Sequence, residues 1–450
     1  MSRRLEEVVR ARAGASAYWF RGESLSYAQF GNQVNRAADA FAGLGVAPGE
    51  RVGVLTRNRP EYFVASQAIW RAGAVLVPVN VLLSVDEVVH IVRDAGVRAL
   101  VVSDELAPLA EAACARVPGV VRVLLDAPDA PPGPGAVRWA PMVARADERA
   151  PARRLGPERL AVIAYTSGTT GFPKGAMLDD RHLADAMANI AEHLSLSEKD
   201  NFLQVFPVHS VAPGLIGGWL TAWIGAECAI LERFDVPEIA EVVPSRRVAC
   251  FAMVPTMLHD LLGHEFDGEP DFSSVRYIQA GGAAVPDRIR TALAERWNIE
   301  MIKSYGSTEC SYVSLDHPGV EPPPGASGQV LAHIELTVRG PDGRNRPEGE
   351  VGELCVGGAP GSARPFRPIL GYWNDPAKSA EVLAGGVFHT GDLGRVTPEG
   401  FVYVVDRLKD MIIRGGNNIY PAELERVLGS HDLVDTVVVV GRAHPEWGET

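Results

Sequence analysis

Apolar and polar positions alternate along residues 25–121 in two rhythms. Amphipathic stretches with helical spacing are separated by short β-branched runs, among them Arg51-Val52-Gly53-Val54-Leu55, Ala74-Val75-Leu76-Val77-Pro78-Val79 and Ala99-Leu100-Val101-Val102. This pattern predicts a doubly wound, largely parallel sheet. The Pro-, Ala- and Gly-rich residues 126–135 read as a surface connection. A second alternating block is expected from Leu160 to about Ile302, with strands at residues 160–165, 227–231 and 275–278. Two such blocks predict a layered body of two sheets.

Past about Gly325 the texture changes to short strands set apart by the turn signals Pro341-Asp342-Gly343, Pro347-Glu348-Gly349 and Pro398-Glu399-Gly400. This spacing favours hairpins of a small antiparallel β-barrel over about residues 325–405. The tail returns to mixed structure, helical at residues 423–428 and a strand at Thr436-Val437-Val438-Val439-Val440. The reading is thus an α/β fold: a large N-terminal domain over residues 1–408, and the start of a small α+β C-terminal domain over residues 409–450.

Composition narrows the function classes. The 450 residues are 46% hydrophobic and 22% charged, which places most of the chain among folded globular proteins. A formal net charge of -13 argues against nucleic-acid binding, which needs basic surface to displace counterions. The five scattered cysteines form no CxxC pair and predict reduced, mostly buried thiols in a cytoplasmic protein. The start, Met1-Ser2-Arg3-Arg4, meets charge at once and predicts no secretory signal. Residues 201–226 carry no Lys, Arg, Asp or Glu, but Pro207, Pro213, His209 and several glycines break the run, so a buried wall beside a pocket is expected rather than a membrane span.

The strongest local signal is Tyr165-Thr166-Ser167-Gly168-Thr169-Thr170-Gly171-Phe172-Pro173-Lys174-Gly175, between an apolar strand and a helical pattern starting near Asp180. Glycines let backbone N–H groups converge on one point, hydroxyls add donors and Lys174 adds charge, which describes a polyphosphate cradle. It departs from the common P-loop, which has Gly before the Lys and Ser or Thr after it.

With Gln279-Ala280-Gly281-Gly282-Ala283, Tyr305-Gly306-Ser307-Thr308-Glu309, His389-Thr390-Gly391-Asp392-Leu393, Asp406-Arg407-Leu408-Lys409-Asp410 and Arg414-Gly415-Gly416-Asn417-Asn418-Ile419-Tyr420-Pro421 in order, the chain resembles the adenylate-forming superfamily of acyl-CoA synthetases, luciferases and peptide-synthetase adenylation domains. The resemblance spans nearly the whole chain. It implies that Thr166, Ser167, Gly168, Thr169, Thr170 and Lys174 hold the phosphates of ATP, that Glu309 with Thr170 holds Mg2+, and that Thr308 touches the α-phosphate. It further implies that Gly281, Gly282, Ala283 and Tyr305 flank the adenine, that Gly306 belongs to the nucleotide site, that Asp392 takes the ribose hydroxyls and that Arg407 contacts ribose or phosphate. Lys303 stands where family members often place an amide that reads the adenine amino group, a departure from the pattern.

The same resemblance implies two half-reactions: a carboxylic acid and ATP give an acyl-adenylate and pyrophosphate, and the thiol of CoA then displaces AMP. Lys409 matches the hinge about which a small C-terminal domain turns between them, and Arg414-Gly415-Gly416 the segment near the pantetheine channel. At Thr450 that domain is only part built, and no position matches the family's adenylation lysine, so this chain is expected to bind nucleotide better than it turns over. The acid pocket is expected from residues 206–215 with His209 at the carboxylate end, from Met253-Val254-Pro255-Thr256, from Ala283-Ala284 and from Ser311-Tyr312-Val313. The lack of an Asp in the first segment disfavours an α-amino acid, whose ammonium would be buried unpaired. Fatty, aryl and alicyclic acids remain open. So do an acyl-AMP ligase that passes its product to an acyl carrier protein or partner enzyme, a luciferase-like oxygenase, and a nucleotide-binding module without turnover; a homodimer is also open.

Overall fold

The computed structural model describes residues 2–126, 132–148, 156, 158–166, 173–211, 215, 217–283, 285–414, 417–428, 431, 434, 437–444 and 447–450. The chain divides into two compact units, Met1–Tyr312 with Ile369–Ser379, and Val313–Pro368 with Ala380–Thr450.

In the first unit the apolar runs become strands β1 (Ser16–Phe20), β2 (Glu23–Ser26), β3 (Arg51–Leu55), β4 (Val75–Pro78), β5 (Val97–Val102), β6 (Val121–Leu124), β7 (Ala136–Arg138), β8 (Leu160–Thr166), β9 (Lys174–Asp179), β10 (Asn201–Gln204), β11 (Cys228–Ile230), β12 (Val248–Met253), β13 (Tyr277–Ala280) and β14 (Glu300–Ser307). One sheet runs β7-β6-β5-β3-β4-β8-β9, parallel throughout except that β9 folds back antiparallel on β8. The other runs β14-β13-β12-β10-β11-β1-β2, parallel until β2 turns back on β1. Helix starts follow local chemistry. Ser26 and Ser84 form capping boxes with Gln29 and Glu87 on the helices Tyr27–Gly43 and Val85–Asp94, and Asp179 caps Asp180–His193.

The expected division into two consecutive blocks needs correction. β8 and β9 complete the first sheet, through the register Leu76↔Val162, while β1 and β2, which precede that block, join the second sheet through β11. The reason is burial of aromatic surface between the layers. The helix Pro60–Ala72 is apolar on nearly every side and buried along almost its whole length. Its Trp70 indole donates to Ala161 O of β8, at 3.0 Å, while Phe63 stacks on Tyr18 of β1 at 5.0 Å. One helix therefore binds both sheets.

The uncharged segment is built into this core. The short helix Gly218–Ile224 packs so closely that a Cβ at Gly218 would lie 2.4 Å from the Phe63 ring, and Trp219 donates to Ser66 Oγ at 3.0 Å. Among the described residues no helix is long and apolar enough to cross a membrane. All five cysteines are free, and four of them are buried.

In the second unit β15 (Ser311–Leu315), whose first residues belong to the preceding unit, pairs antiparallel with β16 (Gln329–Val330). The strands β17 (Ile334–Arg339), β18 (Gly352–Gly358), β19 (Phe388–Val396) and β20 (Val402–Arg407) form an antiparallel meander in that order. Ser327 N–H to Val402 O at 2.7 Å and Val402 N–H to Gly328 O at 2.9 Å bring the β16 segment against β20, so the antiparallel region curls as the turn spacing predicts. The tail adds β21 (Ile412–Arg414), β22 (Asn417–Ile419), the helix Pro421–Leu428, β23 (Ala443–His444) and β24 (Gly448–Glu449). The strand expected at residues 436–440 does not form over 437–440. Val438 and Val440 are exposed, and the Val439 N–H is taken by the Glu425 carboxylate rather than by a neighbouring strand. Thr436 lies outside the described residues.

Gly218→Val tests the interlayer packing. Its added methyl groups press on Phe63, and the first unfolding transition in urea is expected to lose about 1–3 kcal/mol with secondary structure retained; an unchanged midpoint contradicts the packing described.

Candidate active site

β8 ends at Thr166 and β9 begins at Lys174, and these two residues are cross-strand partners. Ser167, Gly168, Thr169 and Thr170, predicted phosphate contacts, lie outside the described residues, as does Ala284. Lys174 Nζ stands 3.4 Å from Asp375 Oδ2, both about a third exposed. Gly175 is needed for packing, since a Cβ there would meet Ile163 at 2.5 Å.

β13 and β14 are parallel neighbours, and the predicted residues from Gly281 to Glu309 lie at or near their carboxyl ends, where open α/β sheets bind ligands. Gly281 is buried and would place a Cβ 2.2 Å from Ser304 Oγ, whereas Gly282, with φ +81°, and Ala283 are exposed at the strand end. Tyr305 and Gly306 lie on β14, and a Cβ on Gly306 would run into the Ser311 carbonyl at 1.8 Å. Lys303 does not act as a free reader of a base. It is buried in β14 and ion-paired with Asp287.

Thr308 and Glu309 follow in the turn after β14. Glu309 Oε1 accepts from Thr166 Oγ1 at 3.3 Å, across 143 residues of chain, and from the Tyr372 hydroxyl at 3.0 Å. Among the described residues no hydrogen bond is directed at Oε2. The turn is pinned twice more: Glu309 N–H donates to Ser307 Oγ at 3.2 Å, and Ser311, in left-handed backbone at φ +55°, shares a 2.7 Å hydrogen bond with buried His182.

Tyr372 was not foreseen; its neighbourhood, Gly371-Tyr372-Trp373-Asn374-Asp375-Pro376, reads locally as a turn. The segment lies along β9, with Met177 N–H to Gly371 O at 2.9 Å and Trp373 N–H to Gly175 O at 2.7 Å. Asp94 ties it to β8. Its carboxylate accepts from Tyr165 OH at 2.6 Å and Asn374 Nδ2 at 3.0 Å, and its carbonyl from the Trp373 indole at 3.0 Å. Burial, then the Glu309 charge, pushes the Tyr372 phenol far above its ordinary range, so it stays a donor to that carboxylate.

His209 follows β10 in a segment clamped by buried Asn58, whose side chain accepts from Val208 N–H at 2.9 Å and donates to Leu231 O at 3.0 Å. Burial lowers the His209 pKa to about 4, so its ring is neutral at pH 7.

In the second unit Asp392 and Arg407 are cross-strand partners, and Arg407 Nε donates to Asp392 Oδ1 at 2.7 Å. The Asp392 side chain is 8% exposed and the Arg407 side chain 55%. Asp392 N–H donates to Thr390 Oγ1 at 3.0 Å, and Leu408 N–H to Gly391 O at 2.8 Å. Lys409 sits half exposed in the turn between β20 and β21, 3.8 Å from Asp410. Gly415 and Gly416 lie outside the described residues.

Residues 5–366 match the family model of AMP-binding enzymes. The feruloyl-CoA synthase of an Amycolatopsis species is 34% identical over 448 residues, covering 98% of this chain and 86% of that protein. The indoleacetate--CoA ligase of Aromatoleum aromaticum is 33% identical over 441 residues, covering 97% and 84%. Among solved structures, the anthranilate CoA ligase AuaEII in complex with anthranoyl-AMP superposes with a TM-score of 0.89 at 26% identity, over 98% of this chain and 84% of that one. The chain belongs to the AMP-binding enzyme family, in its acyl-CoA synthetase branch.

Two outcomes are expected from this geometry. Tyr372→Phe removes one donor from a carboxylate, an interaction of about 1.5–3 kcal/mol, and should lower kcat/KM for ATP about 10- to 100-fold in an ATP–pyrophosphate exchange assay; unchanged kinetics contradict a role for that bond. His209 titrates near 6.5 when unfolded and about 4 when folded. The unfolded state therefore binds more protons in that window, and stability should fall by roughly 3 kcal/mol as pH drops through it. His209→Gln should flatten that part of the stability–pH curve, measured by denaturant titration; an equal slope in both proteins contradicts the neutral ring.

Proposed function

We propose that this acyl-CoA synthetase activates an aromatic carboxylic acid, forming acyl-adenylate and pyrophosphate from ATP, and then transfers the acyl group to the CoA thiol with release of AMP. The observation that carries the reading is the meeting of Thr166, at the mouth of the phosphate motif, with Glu309 on Tyr372. A carboxylate attacking a phosphate must approach another anion, and the reaction needs positive charge and donors at that point.

In this reading the residues 166–170 and Lys174 hold the polyphosphate, Thr308 the α-phosphate, and Gly281, Gly282, Ala283, Tyr305 and Gly306 the adenine. Asp392 accepts from the ribose hydroxyls and Arg407 contacts ribose or phosphate, while Lys409 is the hinge residue. A carboxylate oxygen beside the Thr166 hydroxyl is the hard oxygen chemistry that Mg2+ takes, and with the family resemblance this makes Glu309 and Thr170 the residues that would hold it. Bound there, the ion neutralises phosphate charge.

His209 faces the acid end as a neutral ring, which positions a carboxylate without neutralising it. Its uncharged surroundings over residues 201–226 favour an apolar acyl group. The feruloyl and indoleacetate ligases, at 34% and 33% identity, stand slightly above a long-chain fatty-acid ligase at 31%, which supports an aromatic acid.

A thermal-shift panel with non-hydrolysable aryl, fatty and alicyclic acyl-adenylate analogues tests the choice, with AMP as control. At about a hundred times its dissociation constant the fitting analogue should add roughly 2.7 kcal/mol of stability. Selective stabilisation by aryl analogues is expected. Selective stabilisation by a fatty acyl analogue overturns the substrate class, and no shift from any analogue or AMP overturns the adenylation reading.

A further inference from the structure

β18 and β19 carry three side chains with metal-ligating atoms outside the residues assigned above. Cys355 is registered opposite His389, and Glu353 precedes Cys355 by two residues, so both β18 side chains share one face. Glu353 is registered opposite Leu393, so between the two pairs β18 advances two residues while β19 advances four, and β19 bulges through Thr390, Gly391 and Asp392. The ligand atoms of Glu353, Cys355 and His389 all lie within 4.8 Å of one another.

The hydrogen bonds define what this cluster lacks. His389 Nε2 lies 3.3 Å from the Ala384 carbonyl, which only accepts, so Nε2 carries a proton. Gly391 N–H donates to Glu353 Oε1 at 3.2 Å. His389 Nδ1 then faces Glu353 Oε2 at 2.9 Å and Cys355 Sγ at 3.5 Å. In a neutral ring that Nδ1 is a lone pair, and a lone pair against a carboxylate oxygen needs a cation, either a proton or a metal ion.

The thiol favours the metal. Ligands at about 2.3 Å for sulfur and 2.0 Å for nitrogen stand roughly 3.5 Å apart across a tetrahedral ion, which matches the Sγ–Nδ1 separation. The Nδ1–Oε2 pair would open by about 0.4 Å. A thiolate, an imidazole and a carboxylate together select zinc over magnesium or calcium. The outer contacts are also those of a metal site: the imidazole's other N–H goes to a backbone carbonyl, and the carboxylate's other oxygen is held by an N–H. Burial, then the Glu353 charge, pushes the Cys355 thiol up to about 12, with Arg339 acting against them, so an ion entering here has to displace the thiol proton. Cys355 is fully buried, while Glu353 and His389 are about a fifth exposed, at 21% and 22%, so an ion reaches the site past those two side chains.

We infer that Glu353, Cys355 and His389 form a three-ligand Zn2+ site, with water as fourth ligand, that ties β18 to β19 at the base of the bulge carrying Asp392. Coordination replaces the thiol proton of Cys355, and any proton on His389 Nδ1, both released to solvent. The site goes beyond the ligase reading and stands independently of it.

The test uses the metal-depleted 450-residue chain titrated with Co2+ as spectroscopic stand-in and with Zn2+ as competitor. A thiolate-to-cobalt charge-transfer band saturating at one equivalent, bleached by Zn2+, is expected. Cys355→Ser should abolish the band, and Glu353→Gln should weaken Co2+ affinity at least tenfold. No band in the wild type means the cation is a proton only and overturns the site. A band that persists in Cys355→Ser overturns it too, since another thiol then holds the ion. If circular dichroism shows Cys355→Ser unfolded, Glu353→Gln decides: weakened binding supports the site, and unchanged binding overturns it.

Discussion

Three separate stretches of chain meet at one carboxylate oxygen, Glu309 Oε1: the end of β8 through Thr166, the segment along β9 through Tyr372, and the turn after β14 that carries Glu309 itself. A half-buried carboxylate loses hydration and must recover it from donors of fixed position. Two hydroxyls do so on one oxygen, and this fixes the orientation of the other. Much of the first unit is arranged to make that meeting possible. β8 must join one sheet, β14 must join the other, and the 369–379 segment must lie along β9.

That constraint explains an arrangement in which chain order and sheet order disagree. The helix Pro60–Ala72 spaces the two sheets with buried aromatics, holding β8 through Trp70 and β1 through Phe63. Asp94 joins Tyr165, Trp373 and Asn374, so β8 and the segment bearing Tyr372 share one anchor. The same logic serves a family member that handles polyphosphate and carboxylate together: rigid layers set the distances, and a few polar side chains at strand ends face the chemistry.

Much of this was legible in the chain. Continuous apolar runs such as Val75-Leu76-Val77 announce buried parallel strands. The order of motifs from Thr166 to Lys409 pointed to the family. Other features were not legible, because local pattern carries no pairing information. Nothing in Leu160–Thr166 says which sheet it joins, and Tyr372 meets Glu309 only after the sheets have assembled. The β propensity of residues 436–440 was misleading because a strand needs a partner edge, and the Val439 N–H is taken by Glu425 instead. Lys303 was read as a departure in base recognition. In the fold it is a buried ion-pair partner of Asp287.

In the proposed function Glu309 is the carboxylate through which magnesium strengthens nucleotide binding. Calorimetric titration of wild type and Glu309→Gln with ATP, each with and without Mg2+, and with AMP as metal-independent control, measures this directly. The expected result is that the substitution erases the Mg2+-dependent gain in ATP affinity and leaves AMP affinity within about twofold, a difference of less than half a kcal/mol. An unchanged Mg2+ gain in Glu309→Gln, or an equal loss for ATP and AMP, would contradict the assignment.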